Sequence, residues 1–228
     1  MKTQGIIFDF NGTMFYDSKI QEKSWKTFLY KKIGREITNE EFQKYIHGFH
    51  AEVSFSYFLK NRLSKEQIDQ LAEEKEVVYR QLCLLDKQHY RLANGLVEFL
   101  DYLKRQQIPF TIATASGLNN LKFFFQNLDL GKWFNIEQVV YDNGLIPSKP
   151  EPEIYKKAAQ NIGVLPSDCI VFEDAMSGIE AAHRAGVSKI IGVASTLSKE
   201  QLQQIPDISM VIEDYKDVKT LINFMEQI

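Results

Sequence analysis

The sequence predicts an α/β protein whose core is a Rossmann-like, doubly wound parallel sheet, with an all-helical domain inserted after the first strand. Three observations carry that prediction. A short apolar run, Gly5-Ile6-Ile7-Phe8-Asp9, stands alone near the N-terminus. For the next ~70 residues apolar side chains recur only at helical spacing. Beyond Asn94-Gly95, apolar β runs alternate with helical stretches of roughly ten to fifteen residues, the pattern of crossovers in a parallel sheet covered on both faces.

The elements follow in order. Residues 5–9 form a buried strand that ends in a turn at Asn11-Gly12-Thr13. From Ser18 to Asp86, the groups Trp25, Phe28 and Leu29; Phe55, Phe58 and Leu59; and Ile68, Leu71, Ala72, Val78 and Leu82 each mark a helix face. About four helices fit this stretch, and Ser64 with Gln67 has capping-box spacing for the last. Residues 96–107 read as a helix, "PFTIATAS" as a strand, "NNLKFFFQNLDL" as a helix and "FNIEQVVYD" as extended chain. "EPEIYKKAAQNIGV" is a helix stopped by Gly163, "DCIVFEDA" a strand, and "MSGIEAAHRAG" a helix ending at Gly186. "KIIGVAS" is a strand, followed by a helix from Ser198, a "SMVIED" strand and a last helix near Tyr215. These β runs are almost continuously apolar, as strands buried on both faces are. The opening strand therefore belongs with the C-terminal part: residues 1–14 and 92–228 make the core, and 15–91 the helical domain.

Bulk properties narrow the function. The chain has 228 residues, 44% hydrophobic and 25% charged, ordinary values for a globular protein. A net charge of −3 gives no field to attract nucleic acid or an anionic membrane. The longest apolar runs reach about half a membrane span. Cys83 and Cys169 form no CxxC pair and read as small buried hydrophobes. The expectation is a cytoplasmic protein, monomer or weak dimer, without nucleic-acid or membrane partners.

In a doubly wound sheet the ligand crevice lies beyond the carboxyl ends of the strands, where strand order reverses. The polar residues just after the β runs are Asp9 and Asn11, Thr114 to Ser116, and Glu173 with Asp174, with Lys149 in the loop that follows another run. Mg²⁺ needs oxygen ligands and usually keeps several waters, so Asp9 and Asp174, with the Asn11 main-chain carbonyl and a substrate phosphate, suffice. Asp9 can then attack phosphorus to give an aspartyl phosphate, while Lys149 and Thr114 stabilise the equatorial oxygens. Glu173 either ligates the metal or orients its waters. Each residue has a plainer role when taken alone. Asp9 before Asn-Gly-Thr suits a turn, Thr114 a cap, Lys149 a solvated loop, and Glu173-Asp174 a helix start. Their order, one set per strand end, favours the phosphate and magnesium site.

The stretches "FDFNGT", "TIATAS", "SKPEPEIY" and "VFEDAMSGIEAAHRAG" resemble the four motifs of the haloacid dehalogenase-like hydrolases. The nearest likeness is to the subgroup with a helical cap after the first strand, including β-phosphoglucomutase and small-metabolite phosphatases. The resemblance covers residues 5–17 and about 95–195, and makes the inserted helices a cap domain. It implies that Asp9 is nucleophile and metal ligand, that Asn11, Glu173 and Asp174 complete a Mg²⁺ site, and that Thr114 and Lys149 hold the transferring phosphoryl group. Ser116 is implied as a substrate contact.

One departure stands out. The family's phosphatases and mutases usually have a second aspartate two residues after the nucleophile, and here that residue is Asn11. An amide cannot relay a proton, and general acid–base catalysis contributes about 10²–10⁴-fold. Three explanations compete: a leaving group that needs little protonation, a proton donor elsewhere, or binding without efficient turnover. "YIHGFHAEV" offers His47 and His50 as donors or substrate contacts, in the region where the resembling mutases have a specificity loop. The expected function is Mg²⁺-dependent hydrolysis of a small phosphorylated metabolite through an aspartyl phosphate. A β-phosphoglucomutase-like transfer and a catalytically weak ligand-binding or regulatory protein are the alternatives.

Overall fold

A computed structural model describes residues 4–46 and 51–226. The chain divides into two compact units, residues 1–16 with 91–228, and residues 17–90. Strand β1 (Gly5–Phe8) opens the first unit. The second unit then holds four described helices: α1 (Ser18–Ile33), α2 (Asn39–Tyr45), α3 (Ala51–Leu59) and α4 (Lys65–Leu85). The remainder of the first unit runs α5 (Leu96–Arg105), β2 (Phe110–Gly117), α6 (Leu118–Asn127), β3 (Val140–Asp142) and α7 (Glu153–Asn161). It continues with β4 (Cys169–Glu173), α8 (Met176–Ala185), β5 (Lys189–Val193), α9 (Lys199–Gln203), β6 (Ile208–Ile212) and α10 (Val218–Glu226).

All six strands are parallel, in the order β3-β2-β1-β4-β5-β6. The chain winds outward from β1 through β2 to β3, then crosses to the other side of β1 and winds outward again. The switch point therefore lies between β1 and β4. Register fixes which residues meet there: Phe8 pairs with Phe172 on one side and Ile112 on the other. Asp9 is thus level with Glu173, and its N–H bonds the Phe172 carbonyl at 3.0 Å.

Aromatic packing forms the floor beneath these strand ends. Phe8 stacks on Phe172 with ring centroids 4.9 Å apart. Phe99 and Tyr215 close around the pair, both fully buried. Tyr215 precedes the last helix, and its hydroxyl donates to the Thr13 carbonyl at 3.3 Å. Phe124 stacks on Phe10 at 4.5 Å and meets Phe15 edge-on, so the Phe123-Phe124-Phe125 run does supply a core residue. Phe15 is fully buried in this cluster.

The helical unit has its own core, with Phe28, Leu29, Phe42, Phe55 and Phe58 in one cluster. Its polar interior is paired: Tyr79 donates to the Asp17 carboxylate at 2.5 Å, and the Lys75 ammonium donates to Gln21 at 2.6 Å beside the rings of Trp25 and Tyr79. Both bonds of the Ser64–Gln67 capping box are present. Thr38 with Glu41 and Ser198 with Gln201 form the same device.

The "FNIEQVVYD" stretch departs from its extended reading. Asn135 accepts from the Glu137 N–H at 3.1 Å and winds Ile136–Gln138 into a helical turn, leaving only Val140–Asp142 as strand. Asn side chains compete for backbone donors in this way. Cys83 and Cys169 are free and buried. Among the described residues no helix is long and apolar enough to cross a membrane.

Candidate active site

The turn after β1 is built around one carbonyl. The N–H groups of Thr13, Met14 and Phe15 all point to the Phe10 oxygen at 3.3, 2.9 and 3.1 Å. Gly12 sits at φ +83°, and a Cβ there would lie 2.0 Å from Asp174 Oδ2. Glycine is demanded twice, by backbone angle and by the closeness of the β4 acid. The turn residues that looked like a plain strand ending are therefore what lets the two strand ends approach.

Asp9, Glu173 and Asp174 are 6, 1 and 3% exposed. Each offers a carboxylate oxygen, and these oxygens lie within 4.8 Å of one another. Lys149, from the loop before α7, spans two of them: its ammonium donates to Asp9 Oδ1 and to Glu173 Oε1, both at 2.6 Å. The Lys149–Pro150 peptide is cis. Beneath Lys149 lies the Tyr155 ring, 5.0 Å from the ammonium, and the Tyr155 hydroxyl donates to the same Glu173 oxygen at 2.8 Å. Glu173 Oε2 accepts the N–H groups of Asp174 and Ala175 at 2.8 and 3.0 Å. Asp174 accepts from the hydroxyls of Thr13 at 3.2 Å and Ser195 at 3.4 Å. Ser195 also donates to the Gly12 carbonyl, tying the β5 end to the first turn.

Among the described residues, three buried carboxylates face one ammonium. Burial pushes the Asp9 carboxyl up to about 7, with Glu173 adding to the rise and Lys149 pulling against it. Burial, then Glu173 and Asp9, raise the Asp174 carboxyl well above its usual range. Burial works against the Lys149 charge, but Asp9 and Glu173 outweigh it and hold the side chain as an ammonium. This surplus of buried negative charge, carried by hard oxygen donors, fits a divalent cation such as Mg²⁺.

Asn11 and Ser116 meet on the other flank of Asp9, with the Ser116 hydroxyl donating to Asn11 Oδ1 at 2.8 Å. Thr114 is buried, and its Oγ1 accepts the Ser116 N–H at 3.1 Å. Thr114 to Ser116 lie in the last part of β2, which runs on to Gly117 with its pairing to β3 irregular beyond Ala113. The structure therefore gathers Asp9, Lys149, Glu173 and Asp174 into one bonded cluster, and Asn11, Ser116 and Thr114 into a second on the neighbouring strand. His47 and His50 lie outside the described residues.

Sequence reasoning overlooked Tyr155, Thr13 and Ser195. Ser195 stands just after the β5 run, so the strand-end rule applied to that run would have found it. Tyr155 closes the "SKPEPEIY" stretch, but nothing in the spacing says that its hydroxyl reaches Glu173.

Comparison with known proteins gives the family of the chain. The family model described as haloacid dehalogenase-like hydrolase matches residues 3–186. A phosphorylated carbohydrates phosphatase of Thermotoga maritima is 26% identical over 199 residues, 86% of this chain and 87% of the relative. The crystal structure of a HAD hydrolase, family IA, variant 3, from Entamoeba histolytica superposes with a TM-score of 0.89 at 32% identity, covering 98% of this chain and 99% of that one. The β-phosphoglucomutase of Clostridium difficile shares the fold, with a TM-score of 0.78 at 22% identity over 100% of this chain and 98% of its own.

Proposed function

The chain belongs to the haloacid dehalogenase-like hydrolases, and from that membership we propose that it is a Mg²⁺-dependent phosphatase of small phosphorylated metabolites, with Asp9 as the nucleophile. The observation that carries the reading is the Lys149 ammonium, held between Asp9 and Glu173 at 2.6 Å from each, with Asp174 alongside. A phosphorylated carbohydrates phosphatase among its relatives supports the substrate class.

In this reading Asp9, Asp174 and the Asn11 main-chain carbonyl are the protein's cation ligands, and the cation neutralises charge on the transferring phosphoryl oxygens when bound. Asp9 Oδ attacks phosphorus while the bond to the leaving oxygen breaks, giving an aspartyl phosphate and the departing alkoxide or alcohol. Lys149 keeps Asp9 oriented and offers its remaining proton to an equatorial oxygen. Thr114 and the Ser116 flank bind the other side of the phosphoryl group. Water then attacks the acyl phosphate, releasing inorganic phosphate and restoring the Asp9 carboxylate. The helical domain, residues 15–91, is the cap of this reading, with His47 and His50 as its candidates for proton donation or substrate contact.

The test is a steady-state screen of sugar monophosphates, p-nitrophenyl phosphate and acetyl phosphate. Turnover that requires Mg²⁺ and disappears in Asp9→Asn is the expected result. Binding of Mg²⁺ and phosphate with no turnover of any ester or acyl phosphate would sink the reading.

A further inference from the structure

Resting on the phosphatase reading, we propose that this chain accumulates as its Asp9 aspartyl phosphate when the phosphoryl donor has a weakly basic leaving group, as acyl and aryl phosphates do. Water attacks phosphorus from the side that the leaving oxygen has vacated. One acid–base group there can therefore serve both halves of the reaction, protonating the departing oxygen and then taking a proton from the water. The residue at that position is Asn11, whose amide has N–H donors and a carbonyl acceptor but no proton to exchange near neutral pH. Its oxygen is already engaged, accepting the Ser116 hydroxyl at 2.8 Å. Ser116 cannot stand in, because a serine hydroxyl is itself un-ionised and needs a base of its own. The other carboxylates of the site are committed: Glu173 accepts from Lys149, Tyr155 and two backbone N–H groups, and Asp174 from the hydroxyls of Thr13 and Ser195.

The two halves are not slowed alike. With acetyl phosphate, the Asp9 Oδ–P bond forms and the P–O bond to acetate breaks. Acetate leaves with the electron pair and needs no proton, and p-nitrophenolate leaves a p-nitrophenyl ester in the same way. In the second half the water oxygen bonds to phosphorus, the P–Oδ bond breaks, and Asp9 takes back the electron pair. The Asp9 carboxylate is a good leaving group, so no acid is missing there. The water's proton is what lacks an acceptor, and it must pass to a phosphoryl oxygen or to solvent, at a loss of about 10²–10⁴-fold in rate. Burial of Asp9 also keeps bulk water from the acyl phosphate. A sugar monophosphate must expel an alkoxide, so its first half is slowed as well and little intermediate builds up. The site thereby sorts donors by leaving group: acyl and aryl phosphates charge Asp9 readily, and alkyl esters do so poorly.

The experiment mixes the full chain and Mg²⁺ with p-nitrophenyl phosphate, acetyl phosphate or a sugar monophosphate. It reads p-nitrophenol release by stopped flow, and intact-protein mass after an acid quench. A burst of p-nitrophenol approaching one equivalent per chain is expected, followed by a slower steady rate. Most chains should gain the mass of one phosphoryl group, removable by hydroxylamine and absent in Asp9→Asn. Asn11→Asp supplies the missing base, so it should speed loss of the label by about 10²-fold and abolish the burst. Turnover with neither burst nor label overturns this inference and leaves the phosphatase reading standing. A burst without covalent phosphate means slow release of product, and overturns it too. If Asn11→Asp fails to fold, the donors decide: labelling by the sugar monophosphate equal to that by acetyl phosphate refutes the proposal. Neither turnover nor label from any donor sinks the phosphatase reading and this inference with it.

Discussion

Asn11→Asp restores the carboxyl that the family's phosphatases usually have, and the structure indicates what that single change should do. Asn and Asp are nearly isosteric, and Ser116 Oγ can keep donating to the same oxygen at 2.8 Å. The new carboxyl would join a region that already holds Asp9, Glu173 and Asp174, with the Lys149 ammonium paired to the first two. Those neighbours favour its protonated form at neutral pH, the form a general acid needs. Ser116 favours the ionised form, so the gain belongs at the lower end of the usual range, about 10²-fold rather than about 10⁴-fold.

The gain must depend on the leaving group. A sugar phosphate releases a basic alkoxide that needs a proton, whereas p-nitrophenolate leaves without one. The assay is therefore kcat/KM for one alkyl and one aryl phosphate in both proteins, since with Asp9 as the proposed nucleophile kcat/KM reports the transfer to it free of the later hydrolysis. The alkyl-to-aryl ratio should rise by about 10²-fold in Asn11→Asp. An unchanged ratio refutes the reasoning and means that protonation is supplied elsewhere, with His47→Ala and His50→Ala the variants to examine next.

Two further outcomes follow from the cluster. Gly178→Ala should destabilise the protein by roughly 1–3 kcal/mol in chemical denaturation and lower kcat, because overpacking against Glu173 outweighs the ~1 kcal/mol that alanine gains over glycine in a helix; stabilisation would refute this. In the metal-free protein the folded Asp9 carboxyl lies at about 7 against 3.8 for the free side chain. The native state therefore keeps a proton that the unfolded chain gives up, and stability from this group falls as pH rises from 3.8 to about 7. Asp174 acts in the same direction, and Lys149 contributes evenly across this window because it stays charged. Mg²⁺ should thus raise the melting temperature more above pH 7 than near pH 4, and an equal rise at both ends contradicts the assignment.

Much of the core was legible because the physics acts along the chain. Continuous apolar runs separated by amphipathic helices imply a parallel sheet, and the strand-end rule picked out Asp9, Asn11, Thr114, Ser116, Glu173 and Asp174. Where the reading failed, a local competitor or a distant neighbour had decided the matter. Asn135 captured a backbone donor and shortened β3, which apolar content alone does not reveal. The Thr38–Glu41 and Ser198–Gln201 boxes have the spacing of Ser64–Gln67 and were as readable. Gly12 and Gly178 look like a turn residue and a weak helix residue. Their real constraint comes from Asp174 and Glu173, brought close only by the fold.

That constraint also explains why a departure at Asn11 can leave the rest of the site intact. Asp9 leans toward β4: its partner Lys149 also holds Glu173, and Gly12 gives the first turn room beside Asp174. Asn11 leans the other way, toward β2, where Ser116 is its partner. The two residues sit on opposite flanks of one turn, Asp9 bonded to Lys149 and Asn11 to Ser116. Losing the carboxyl at Asn11 therefore removes an acid from the β2 side without withdrawing a charge from the Asp9–Lys149–Glu173 network. In the proposed reading, the change at Asn11 therefore alters proton transfer to the leaving group and leaves the Asp9–Lys149–Glu173 contacts in place.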